Sequence, residues 1–109
     1  MMMALQWDVG AGTGSVSIEL ALAAPWGRAY AIECEEAACG LIRQNRERLG
    51  AWNLQVVHGH APQALEGLEP PDGAFIGGTK GELEQVVDKR TAGAVYAYFH
   101  EDEEEGPCE

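Results

Sequence analysis

Seven residues near the start of the chain, Asp8-Val9-Gly10-Ala11-Gly12-Thr13-Gly14, combine an acid with three alternating glycines. Glycine lets the backbone turn tightly between a strand and a helix, and approach a ligand without Cβ atoms in the way. The amides that open the following helix add the positive end of its dipole. A second acid, Glu33, stands 23 residues beyond Gly10 at the end of another apolar run. A carboxylate in that position can accept hydrogen bonds from both hydroxyls of a ribose. Together these residues suit recognition of a nucleoside-like ligand by backbone and carboxylate.

Such residues need elements to hold them. Leu5–Val9 reads as a buried strand running into the glycine turn. Ser15–Ala24 reads as a helix packed on a sheet, with Thr13 or Ser15 as its cap and Pro25 as its stop. Arg28–Glu33 is a second strand. Glu35–Leu49 is a helix, with Ala38, Ile42, Asn45 and Leu49 on one face and Gly50 as its C-terminal cap. Leu54–His58 is a third strand, Pro62–Gly67 a short helix, Gly73–Gly77 a fourth strand and Gly81–Lys89 a last helix. Ala94–Phe99 is a candidate fifth strand. Strands alternating with helices predict an α/β fold: a parallel sheet with right-handed crossovers and helices on its faces.

Charge narrows the partners. The 109 residues carry 18 acids against 7 bases, a net charge of −11. Nucleic-acid affinity rests on Lys and Arg neutralising phosphates, so no nucleic-acid partner is expected. Six of the acids are Glu101, Asp102, Glu103, Glu104, Glu105 and Glu109, an end expected to be solvated and disordered or an interaction tail. Without them the net charge is −5. No apolar run reaches the roughly 18–20 residues that span a bilayer, and no secretory signal is read at Met1–Met3. Cys34, Cys39 and Cys108, an odd set, fit a reduced cytoplasmic location, and neither they nor His58 and His60 have a familiar zinc spacing.

Two cofactor classes suit the first loop. Dinucleotide enzymes normally space their glycines G-x-G-x-x-G. Here the spacing is G-x-G-x-G, two residues after an acid, which resembles the first motif of class I methyltransferases that bind S-adenosylmethionine. An acid near that ligand's positively charged amino group makes electrostatic sense. The resemblance extends further. Trp7 to Glu19, Tyr30-Ala31-Ile32-Glu33, Gly59-His60-Ala61-Pro62 and Phe75-Ile76-Gly77-Gly78-Thr79-Lys80-Gly81 resemble, in order, the decarboxylating precorrin methyltransferases of cobalamin synthesis. It covers about Leu5 to Val87.

The resemblance implies a Rossmann-like, seven-stranded methyltransferase sheet, of which this chain carries a part: four strands in the order 3-2-1-4, with Ala94–Phe99 as a candidate fifth. It implies a tetrapyrrole substrate, methylated at carbon 15 with loss of carbon dioxide from an acetate side chain. Asp8, Gly10, Ala11, Gly12, Thr13 and Gly14 would form the adenosylmethionine loop, Glu33 would hold the ribose, and His60 and Ala61 would lie beside the adenine. Gly77, Gly78, Thr79, Lys80 and Gly81 would line the site facing methionine and tetrapyrrole. His60 stands where related enzymes often have Asp; a neutral imidazole can also accept a hydrogen bond. Lys80 would meet a substrate carboxylate, or is an exposed lysine at a helix start. No general base stands out.

After Lys89 the likeness ends. Residues 1–90 are expected to form a partial cofactor-binding core and 91–109 a divergent segment with the acidic end. A fragment of this kind is expected to bind cofactor better than it turns over, because catalysis needs a complete substrate wall. Unless Ala94–Phe99 covers it, the fourth strand would be an open edge that invites self-association into a homo-oligomer. Two other readings stay open: a methyltransferase of another substrate class, and a non-catalytic remnant.

Overall fold

A computed structural model describes residues 5–77 and the backbone of 94–98. Five strands, β1 (Leu5–Val9), β2 (Arg28–Glu33), β3 (Leu54–His58), β4 (Gly73–Gly77) and β5 (Ala94–Tyr98), form one sheet in the order β3-β2-β1-β4-β5. All four pairings are parallel. Helices α1 (Ser15–Ala23) and α2 (Glu36–Leu49) make the first two crossovers, and a single 3₁₀ turn at Gln63–Leu65 follows β3. The fifth strand lies against β4. The candidate strand in Ala94–Phe99 thus covers the β4 edge, leaving no open β4 edge for self-association.

Period-two alternation sorts the strand side chains onto the two faces. Leu5, Trp7 and Val9 of β1 join Tyr30, Ile32, Ala74 and Ile76 in one core, closed by Ala61 and Leu65 from the segment after β3. Trp7 is fully buried there, and its truncation to Ala would cost about 3–5 kcal/mol. On the opposite face the small Ala29 and Ala31 let Ile18 and Ala21 of α1 and Ile42 of α2 come close. Asp8 and Glu33, one step out of phase with the first core, belong to this helix-covered face.

The helix ends explain the boundaries. Gly50 caps α2 in the left-handed conformation, φ 73°, with its N–H on the Arg46 carbonyl. Glu36 in the first turn and Arg46 and Arg48 in the last complement the helix dipole. The Asn53 side-chain amide donates to the carbonyls of Ala21, Ala24 and Gly27 at 3.0–3.1 Å, closing the C-terminus of α1 beside Pro25. Asp72 pins the start of the β1–β4 pair: its Oδ2 accepts from the Leu5 N–H and its own N–H donates to the Leu5 carbonyl, both at 2.7 Å.

Three expectations need correction. Neither Thr13 nor Ser15 caps α1: Gly14 is the N-cap residue, and the two hydroxyls face each other at 3.2 Å. Leu49 is 52% exposed; α2 instead buries Cys39 and Ile42, three residues apart on the turn that meets the sheet. The short helix of 62–67 shrinks to one 3₁₀ turn. The helix expected at Gly81–Lys89 and the acidic end lie outside the described residues.

Candidate functional site

A parallel sheet brings all its strand C-termini to one edge. The register pairs Val9 with Ile32 and Ile76, Glu33 with His58, and Gly77 with Tyr98. The glycine loop, Glu33, Gly59-His60-Ala61 and Gly77 therefore gather along that edge. The chain runs from β1 outward to β3 and then returns to place β4 on the other side of β1. Ligands of open α/β sheets bind at such a reversal, here between the β1 and β4 loops.

The three glycines divide their work. Gly10, φ 77°, begins the turn, and its N–H and that of Ala11 both donate to the Ile32 carbonyl at 2.8 and 3.1 Å. Gly12, φ 63°, is exposed, and a Cβ placed there would meet nothing within 4 Å. Open space at a strained backbone position is what close approach of a ligand requires. Gly14 differs. It is buried at φ 87°, and a Cβ there would lie 2.9 Å from Ile42 Cγ1. Its absent side chain lets the start of α1 pack on α2. Thr13 is exposed at the loop tip, and Ala11 packs on the helix-side core.

Two acids hold the loop from below. Glu33, 6% exposed, accepts the Gly12 N–H at Oε1 (2.7 Å) and the Glu35 N–H at Oε2 (3.0 Å). A carboxylate offers about four acceptor positions, so these two amides leave capacity on the group. Asp8, 5% exposed, accepts the Ser17 hydroxyl at Oδ2 (2.6 Å). Burial pushes the Asp8 carboxyl up to about 6; the Ser17 hydroxyl and N–H oppose the rise and the Glu33 charge adds to it.

The remaining expected site residues fall as follows. His60 is exposed beyond β3, with its carbonyl accepting the Ala64 N–H at 2.7 Å. Ala61 is buried against Leu65 in the first core. Gly77 ends β4 on the site edge. Gly78, Thr79, Lys80 and Gly81 lie outside the described residues. Ser17 was not anticipated. Its signal was available: a polar residue within the apolar stripe of α1, beside an acid that burial would otherwise leave without a donor. Among the described residues no group of three or more His, Cys, Asp or Glu could hold a metal ion, and no helix is long and apolar enough to cross a membrane.

Comparison with known proteins points one way. The precorrin methyltransferase domain family matches residues 1–96. A precorrin-6Y C(5,15)-methyltransferase [decarboxylating] of Sinorhizobium sp is 41% identical over 92 residues, 82% of this chain and 22% of the relative. A cobalt-precorrin-6B C(15)-methyltransferase (decarboxylating) of Salmonella typhimurium is 44% identical over 81 residues, 74% of this chain and 41% of the relative. The crystal structure of a precorrin-6y C5,15-methyltransferase from Geobacter metallireducens superposes with a TM-score of 0.73 at 42% identity, over 79% of this chain and 46% of that one. The chain thus spans less than half the length of each of these three relatives. Its sheet, its glycine loop and the match across 96 residues place it among them: the chain belongs to the precorrin methyltransferase domain family.

Proposed function

We propose that this chain supplies the cofactor-binding part of an S-adenosylmethionine-dependent C-methyltransferase. The reaction would methylate carbon 15 of a precorrin with loss of carbon dioxide from an acetate side chain, in cobalamin biosynthesis. One observation carries the reading: an open, positive-φ Gly12 stands over the Glu33 carboxylate, inside the span matched by the family.

The residues fit the cofactor. Side-chain-free space at Gly12 admits a ligand against the backbone, and the remaining acceptor capacity of Glu33 suits ribose hydroxyls. Asp8 keeps a negative group beneath the loop for a cationic amino group. His60 and Ala61 would border the adenine, and Gly77 to Gly81 the methionine and tetrapyrrole. When bound, S-adenosylmethionine supplies an electrophilic methyl group on a positively charged sulfur. The chain's own contribution is alignment, for which misplacement by ~1 Å can cost ~100-fold in rate. No residue of this chain is assigned as a general base.

The test incubates the purified chain with S-adenosylmethionine and a precorrin, with a full-length relative alongside, and follows products by mass spectrometry and cofactor binding by calorimetry. The expected result is cofactor binding by the chain, with formation of the methylated, decarboxylated tetrapyrrole at least 100-fold slower than by the relative. Absence of cofactor binding would overturn the cofactor assignment. Methyl transfer to a different substrate class, with none to the precorrin, would overturn the substrate assignment.

A further inference from the structure

We propose that Ser17 is a positioning residue for this site: it holds the Asp8 carboxylate in place as the negative group that meets the cationic amino-acid end of the ligand. The proposal rests on the adenosylmethionine reading above.

Ser17 is fully buried on α1 and Asp8 nearly so on β1, and the hydroxyl donates to Oδ2 at 2.6 Å. A short hydrogen bond from a fully buried residue restricts the carboxylate at Oδ2. The hold spans the whole glycine loop, from the strand before it to the helix after it. A buried serine in a helix ordinarily satisfies itself on a carbonyl one turn back. Here the hydroxyl reaches across to another element instead.

Charge supplies the second observation. Among the described residues, the charged group acting on Asp8 is Glu33, a like charge on the same sheet face. Two adjacent buried acids are costly to keep ionised together. A ligand with a positive group relieves that cost, and one without it does not. Ser17 offsets part of the cost of keeping Asp8 ionised until such a ligand arrives.

The experiment compares S-adenosylmethionine with 5′-methylthioadenosine, which shares the adenosine but lacks the amino-acid end. Affinities are measured by calorimetry for the full chain, Ser17→Ala and Ser17→Cys, from about pH 6 to about pH 8. Cysteine fills nearly the serine volume with a weak donor, so it gives the same comparison if alanine impairs folding. Both variants should bind S-adenosylmethionine roughly ten- to a hundredfold more weakly near neutral pH. Methylthioadenosine affinity should stay within about twofold, and the loss should shrink as rising pH ionises Asp8. In an Asp8→Asn background, Ser17→Ala should have no further effect.

Equal weakening toward both ligands would reduce Ser17 to a structural role and overturn the proposal. Unchanged S-adenosylmethionine affinity in both variants, with the wild-type chain binding, would overturn the Ser17 assignment alone. A wild-type chain that binds neither ligand would remove the cofactor reading and this proposal with it.

Discussion

The Gly12 amide donates to Glu33 Oε1 at 2.7 Å, across 21 residues of sequence. The acid at the tip of β2 thus holds the loop after β1 while its second oxygen takes the Glu35 amide at the start of α2. One carboxylate ties together two strand tips and a helix start. The proposed ribose contact would share this group with the loop's own geometry, so a change at Glu33 would act on both.

The glycines should separate under substitution. Gly14→Ala forces a Cβ to 2.9 Å from Ile42 at φ 87°, and should destabilise the fold by about 2–4 kcal/mol. Gly12→Ala meets no atom, so its folding cost should be only about 1–2 kcal/mol, from φ 63° alone. Cofactor affinity should nevertheless fall in Gly12→Ala. Urea unfolding and calorimetry check the pair; equal stability losses would refute the division of roles.

Asp8 should make stability depend on pH. Its carboxyl is raised by burial from 3.8 to about 6 in the folded chain. The folded state therefore binds more protons between those values. The stability contributed by protonated Asp8 is present at low pH and lost as pH rises through about 6, a swing of about 3 kcal/mol. Asp8→Asn removes the buried charge. It should be more stable than wild type by about 1–3 kcal/mol near pH 8, and close to it near pH 4. Urea unfolding at both pH values tests this, and a difference independent of pH would contradict it.

Much of this was readable from the chain. Strands β1, β3 and β4 are short apolar runs ended by glycine, so their limits were plain, and the crossover order followed from strand–helix alternation. What escaped depends on packing between distant elements. Gly14 looked like part of a ligand loop, which hid its contact with Ile42, 28 residues away. Leu49 matched the helical period but sits in the last turn of α2, where the helix has run past the sheet. Asn53 closes a helix 30 residues upstream, and no local pattern announces that. Ala94–Phe99 was legible as a strand candidate able to cover β4, whereas its register there, Gly73 against Ala94, is set by pairing between distant segments.

The surface charge should exclude nucleic acid as a substrate. With a net charge of −11, the chain should show no measurable binding to duplex DNA or RNA at physiological salt. A gel-shift titration checks this. A micromolar shift that weakens with added salt would contradict it and bring an RNA substrate back into consideration.

Calorimetric titration of the chain and of Glu33→Ala with S-adenosylmethionine tests the central claim most directly. The account predicts saturable binding by the wild type. It predicts affinity lower by about 5- to 150-fold in the variant, the equivalent of roughly 1–3 kcal/mol for lost hydrogen bonds to a buried carboxylate. Equal affinities, or no binding by the wild-type chain, would contradict it.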